Sequence, residues 1–361
     1  MRELSAPAAF QGKKTRFSRA LLLGIALAAL FVVPARAGTP YVVGDVFAGV
    51  GNGQVKEFTP TGTLVQTLND TTGSTFITGM CFDPAGNLYV TNFVGTTVSK
   101  FDNSGNLVNA NFLTGLSSPE SCVVDSAGNF YVGGPGQPIR KFASSGGAAI
   151  ATFNVTAGSD WIDLAADQCT MLYDNEGANI SRFNVCTNTQ LTTFASSLPG
   201  PHYALRILPG GGVIVAAGSQ VQLLDPSGVI TSTYTGDSLF FALNRDPDGV
   251  TFWSGGLNSG NIYRFNFAPV GPPITTFSAG PITSLAGLAV FGELVISQPT
   301  PTPTGTVLPT ATPTPQGTVL PTATPTPIGG VGAVVPTLSY PMLGALCLAL
   351  MAAALLLLMR R

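Results

Sequence analysis

Between Gly38 and Ser297 the chain repeats itself about every forty residues. Aligned on the second apolar residue after a Gly-containing turn, Tyr89, Tyr131, Tyr173, Ile214, Phe252 and Val295 follow one another at spacings of 42, 42, 41, 38 and 43. A unit of this length cannot bury an apolar face alone, so the units must pack on one another. This period, with short alternating apolar runs, predicts a β-propeller. The second unit shows the internal order. Met80–Asp83, Asn87–Thr91, Thr97–Asp102 and Leu107–Phe112 read as strands, joined by the turns Asp83-Pro84-Ala85-Gly86-Asn87 and Asn103-Ser104-Gly105-Asn106. Asp, Asn, Gly and Pro are the residues tight hairpins require, and strands linked this way are antiparallel.

The ends of the repeat region predict how the ring closes. Tyr41–Val46, Gln54–Thr59 and Thr63–Leu68 supply the later strands of a unit that lacks its first, and Leu288–Phe291 supplies a first strand with little after it. Pairing them gives an all-β, six-bladed propeller of four-stranded antiparallel blades over 38–298. A separate seventh blade is the alternative, because Leu294–Ser297 also has strand character. The pattern D-x-x-G-N-[LF]-Y-V at Asp83–Val90 and Asp125–Val132 resembles NHL-repeat and gluconolactonase-like propellers, a resemblance of fold more than of site.

The flanks are of another kind. Lys13, Lys14, Arg16 and Arg19 precede an apolar stretch from Ala20 to Val33 and the small-x-small site Ala35-Arg36-Ala37. Residues 1–37 therefore read as a signal peptide, cleaved before Gly38. Pro and Thr dominate 299–334, where GTVLPTATPTP occurs twice. That composition favours an extended stalk, and at about 3.1 Å per residue it reaches on the order of 100 Å. Over 335–361, Val335-Pro336-Thr337-Leu338-Ser339 leads into an apolar run from Pro341 to Met359 and ends at Arg360-Arg361. About twenty apolar residues span a bilayer, and the arginines stay on its cytoplasmic side. In order these elements resemble bacterial C-terminal sorting signals of the IPTL-CTERM type, although Val335 stands in place of isoleucine and Tyr340-Pro341 in place of glutamate-tryptophan. The resemblance implies an exosortase-like processing enzyme as partner; an ordinary single-pass membrane anchor is the alternative. Either way the protein is exported to the cell envelope or surface, and stays anchored or is released after processing.

Charge excludes one class of partner. Six of the 16 basic residues precede Gly38 and two end the chain, whereas 17 of the 18 acidic residues lie between, leaving a net charge near −9. Such a domain has no counterion-release grip on nucleic acid. The cysteines fit export. Cys169 and Cys186 fall at the same end of antiparallel neighbouring strands in the fourth unit, which predicts a disulfide. Cys81 and Cys122 occupy nearly equivalent places in adjacent units, equally consistent with buried thiols and with a bond.

Chemistry-bearing residues are few. His202 is the only histidine, and it precedes an innermost strand just as Glu120 and Asp160 do in neighbouring units. Residues in that position ring the mouth of the central channel, so Glu120, Asp160 and His202 are candidate ligands for a divalent metal (calcium or zinc) or an acid-base set. Polar rim residues without chemistry are the competing reading. Gluconolactonase-like propellers hold a divalent cation at the channel, but no motif of theirs matches here residue by residue. Asp246-Pro247-Asp248-Gly249 begins like a calcium loop yet lacks the later carboxylates, and a blade turn accounts for it. The function expected is therefore a surface-displayed binding module for a polymer or protein at the cell surface. A metal-dependent hydrolase or lyase at the channel is the alternative.

Overall fold

The computed structural model describes residues 38–293. The expected signal peptide, stalk, sorting motif, apolar tail and the strand at Leu294–Ser297 lie outside the described residues.

Every regular element among the described residues is a strand, and the strands form six sheets around a ring. Blades 2 to 6 follow the chain, each from an innermost first strand outward. Those innermost strands are Ile77–Phe82, Ser121–Val124, Ile162–Leu164, Leu205–Ile207 and Phe240–Arg245. Blade 1 closes the ring. Its innermost strand is Gly287–Val290 from the far end of the domain, paired antiparallel to Val46–Gly51, with Gln54–Phe58 and Leu64–Asn69 outside. The register Val46↔Val290 and Phe47↔Ala289 makes Phe47 the blade 1 counterpart of Tyr89, which pairs with Cys81; Val295 lies outside the described residues.

One expected strand is displaced. The sequence predicts an extended Tyr41–Val46, but the strand starts only at Val46. Ahead of it the chain turns: Asp45 N–H donates to Val42 O at 2.9 Å, Asp45 Oδ2 accepts from Val42 N–H at 3.0 Å, and Gly44 takes φ +95°. Val42 and Val43 are consequently exposed, so their apolar character does not report a strand.

The repeated Asp-x-x-Gly sequences are turns with an added function. Asp83 Oδ1 accepts from the amides of Ala85 (3.0 Å) and Asn87 (2.9 Å), and Gly86 supplies φ +81°. The other oxygen, Oδ2, accepts from Tyr89 Oη at 3.0 Å, and Lys100 Nζ lies 5.1 Å from the Tyr89 ring centroid. Blade 3 repeats the group with Asp125, Tyr131 and Lys141, whose Nζ is 3.0 Å from Asp125 and 4.8 Å from the Tyr131 ring. Blade 6 substitutes a tryptophan and an arginine. Asp246 Oδ2 accepts from Trp253 Nε1 and pairs with Arg264 Nη2, both at 2.8 Å, while the guanidinium lies 5.3 Å from the Trp253 ring. Asp246–Gly249 is thus a blade turn. The carboxylate shapes the hairpin and also orients a cation over the aromatic ring of the second strand, an attraction of about 0.5–2 kcal/mol.

Core side chains lie between blades. One cluster joins blades 1 and 2 through Phe47, Ile77, Met80 and Leu88, and another joins blades 2 and 3 through Tyr89, Val98, Cys122 and Phe130. Each fully buried large apolar side chain contributes roughly 1.5–3 kcal/mol. Disulfides Cys169–Cys186 and Cys81–Cys122 complete the framework, the first within blade 4 and the second between the innermost strands of blades 2 and 3.

Candidate functional site

All innermost strands run the same way along the channel, so the ring has two mouths of different composition. We call the mouth where these strands begin the leading mouth and the one where they end the trailing mouth.

At the leading mouth, Glu120 and Asp160 stand just ahead of the innermost strands of blades 3 and 4, and both are buried. Close approach there requires glycine: a Cβ on Gly79 would sit 2.6 Å from Glu120 O. Glu176 joins them from the hairpin after the second strand of blade 4, where it holds a left-handed φ of 59°. Oxygens of Glu120, Asp160 and Glu176 all lie within 4.8 Å of one another. A fourth carboxylate, Asp174, is 1% exposed. Its Oδ1 accepts from Trp161 N–H at 3.3 Å, and its Oδ2 has no hydrogen-bond partner. Asp160 Oδ1 and Trp161 Nε1 are likewise buried and unpartnered.

Crowding sets the protonation of this group. Burial first, then the hydrogen bond and charge of Asp160, push the Glu120 carboxyl well above the usual range. Burial also raises Asp160, against a hydrogen bond from Glu120 that lowers it, so Glu120 is the donor of the pair. Asp174 is raised strongly by burial and by the Asp160 charge, and Glu176 by the same two causes. Like charges held together in a low-dielectric site cannot all ionise.

His202 does not join Glu120 and Asp160, contrary to the expectation from its place in the repeat. Its ring is fully buried, Nδ1 donating to Gly177 O at 2.7 Å and Nε2 lying 3.3 Å from Gln222 Oε1. Gln222 is itself fixed by donating to Pro199 O at 3.0 Å. Both imidazole nitrogens are therefore engaged. The histidine acts on the cluster indirectly, because its backbone N–H also donates to Gly177 O (3.2 Å) and so tethers the hairpin that carries Glu176. Of the sequence-derived set, Glu120 and Asp160 come together, His202 serves as a brace, and Glu176 and Asp174 take the remaining places. The missing pair had a signal. In an antiparallel blade the hairpin between second and third strands returns to the end where the first strand begins, so the acidic Asp174-Asn175-Glu176 had to fall near Asp160.

The trailing mouth opens into a cavity of about 620 Å³. Its wall takes a residue from the innermost strand of every blade, among them Cys81, Cys122, Asp163, Arg206, Asn244 and Ala289, which places it on the ring axis. One side is aromatic, with the Phe82 and Phe291 rings 5.1 Å apart and Tyr41 5.6 Å from Phe291. The other is charged. Arg206 Nε lies 3.2 Å from Glu293 Oε1 and 3.3 Å from Asn244 Oδ1, and Nη1 donates to Leu205 O at 2.9 Å. Arg245 Nε is 3.5 Å from the same Glu293 oxygen. Asp163 accepts from Ile207 N–H at 2.7 Å and so ties blade 4 to blade 5. Burial raises its pKa, opposed chiefly by the charge of Arg206. Neither Glu120, Asp160 nor Glu176 belongs to the cavity wall.

Comparison with known proteins bears on the fold alone. No family model matches the sequence, and no curated protein matches it. Among solved structures, the chain is similar to one from a nidogen/laminin complex, with a TM-score of 0.58 and 14% identity over 69% of this chain and 99% of that one. It is also similar to the WD40 β-propeller domain of Doa1, with a TM-score of 0.52 and 13% identity over 69% of this chain and 83% of that one. Both are β-propeller likenesses at low identity.

Proposed function

We propose that this chain is an exported propeller, displayed at the cell envelope, that binds a surface polymer or protein through the cavity at its trailing mouth. The observation that carries the reading is that cavity: about 620 Å³, apolar on one side, with arginine, aspartate, asparagine and glutamate on the other. A concave, largely apolar site with a few convergent polar groups is the usual form of a ligand pocket. Its wall is drawn from six separate strands, so its shape is rigid and its chemistry is set one residue at a time. The ligand it suits has an apolar or ring-bearing face and an anionic or hydroxyl-bearing group for Arg206 and Arg245. Two disulfides agree with an oxidising compartment, and the sequence beyond the described residues supports display on a stalk.

Binding of the purified, labelled protein to isolated envelopes tests this, with Phe291→Ala and Arg245→Glu as probes of the two walls. Retention should fall in both variants while the circular dichroism stays unchanged; equal retention in all three proteins would move the site elsewhere. Display has its own test. If the full chain and a chain ending at Val334 appear in the medium in equal amounts, stable anchoring is ruled out.

The metal-dependent hydrolase or lyase reading has one observation in its favour, the convergence of Glu120, Asp160 and Glu176. Those carboxylates are absent from the wall of the cavity, whereas such an enzyme needs metal and substrate in one place. The binding reading needs no such coincidence.

A further inference from the structure

The carboxylates of the leading mouth present a donor set without an arginine or lysine paired to it. In the ion pairs of the described residues, every arginine or lysine that meets a carboxylate meets Asp83, Asp125, Asp246, Asp248 or Glu293, all outside this group. Glu120, Asp160 and Glu176 have oxygens within 4.8 Å of one another, the spacing of groups that share one ion. A second observation is independent of that triad. Asp174, outside it and 1% exposed, has a buried Oδ2 with no hydrogen-bond partner, and the charges of Asp160 and Glu176 both act on it. An unpartnered buried carboxylate oxygen costs several kcal/mol unless something unseen among the protein atoms satisfies it.

We infer that the leading mouth is a binding site for a hard divalent cation of the calcium class, held by Glu120, Asp160 and Glu176 with Asp174 behind them. The donor chemistry selects the ion. All four side chains offer oxygen only, and the one imidazole nearby is engaged with Gly177 and Gln222, so the set suits Ca²⁺ rather than zinc. The ligands come from separate pieces of chain: Glu120 leads into blade 3, Asp160 leads into blade 4, and Glu176 sits on the second hairpin of blade 4. An ion here clamps two blades at the end of the channel away from the cavity. Its role is structural, and it makes the rigidity of the ring depend on calcium outside the cell. His202 is a positioning residue for it, through the Gly177 carbonyl. The inference is independent of the cavity's ligand.

The test is calorimetric titration of CaCl2 into the purified full chain, stripped with EDTA and desalted, with the thermal midpoint recorded in parallel. One Ca²⁺ per chain is expected, with an affinity in the range of extracellular modules, about 10⁻⁴–10⁻³ M or tighter. The midpoint should rise by several degrees on saturation. Glu176→Gln removes a ligand from an exposed hairpin without touching the core, and it should weaken binding by about tenfold or more. Because Asp160 is buried, Asp160→Asn serves as a second variant, scored only on calcium affinity in protein that retains the wild-type circular dichroism. Absence of calcium binding in the wild type would overturn the site and leave a shared proton between Glu120 and Asp160 as the resolution of the crowding. Binding of unchanged affinity in Glu176→Gln would overturn it as well, by placing the ion elsewhere.

Discussion

The two mouths of the channel are built from opposite ends of the same repeated innermost strands, and they solve opposite electrostatic problems. At the trailing mouth the charges are matched: Arg206 and Arg245 meet Glu293, and the upward push of burial on Asp163 is opposed by Arg206 and by the Ile207 amide. At the leading mouth four carboxyls stand together, and the only relief among the described protein atoms is a hydrogen bond between two of them and a few backbone amides. The difference shows that the blade repeat does not dictate channel chemistry. The repeat governs the strands and their turns, and leaves the side chains at the strand ends free to build either a balanced pocket or an unbalanced acidic cluster.

Breaking the trailing side should cost most. Cys81→Ala with Cys122→Ala removes a bond across a sequence separation of 41 and should lower unfolding free energy by about 4 kcal/mol in urea titration, against about 3 kcal/mol for Cys169→Ala with Cys186→Ala, whose separation is 17. If the order is reversed, the inter-blade bond is not a main tie of the ring. Arg206→Ala comes next, at roughly 3 kcal/mol, because it removes a buried cation and leaves Asp163 without its chief opposing charge. Arg206→Lys should recover only part of that loss.

The leading mouth should answer with the opposite sign. In EDTA, Asp160→Asn relieves like-charge crowding and should stabilise the protein by about 1 kcal/mol. In saturating calcium the same substitution should destabilise it relative to wild type. A loss in both conditions would mean that the carboxylates are not in conflict and that the contrast between the mouths is false.

A carboxyl that belongs neither to the cavity wall nor to the leading cluster sharpens the comparison and has the smallest effect. Glu57 is pushed up to about 8, first by burial and then by Asp45, against a hydrogen bond from Gln66 that lowers it. Its folded pKa exceeds its unfolded value of 4.5, so the native state holds the extra proton. Its contribution to stability is complete below about pH 4.5 and is lost as pH rises through about 8. Glu57→Gln should therefore flatten the fall in stability across that window and exceed wild type at its alkaline end, by about 1 kcal/mol. An unchanged slope would assign the pH dependence to the leading mouth.

Several of these features are legible in the sequence and others are not. The turn aspartates Asp83 and Asp125 announce themselves through the glycine three residues on. Their partners Lys100 and Lys141 do not, because the cation reaches them only through the pairing of the second and third strands. Tyr41–Val46 misleads because a run of apolar residues looks extended whether or not a neighbour pairs with it. Glu120 and Asp160 are identified by their place ahead of innermost strands, a local criterion. The same criterion wrongly groups His202 with them, since Gln222, twenty residues further on, decides where the imidazole is held.

By itself the sequence pointed to six units, with a seventh as the alternative, and to the antiparallel order within each blade, the disulfide Cys169–Cys186 and the closure of blade 1 by the far end of the domain. All of these follow from strand period, turn chemistry and repeat length, which act over tens of residues or fewer. The bond between Cys81 and Cys122, the cavity at one mouth and the carboxylate cluster at the other were decided by the tertiary structure. Each depends on how first strands about forty residues apart in sequence meet around a common axis, and no local pattern encodes the distances between side chains brought together in that way.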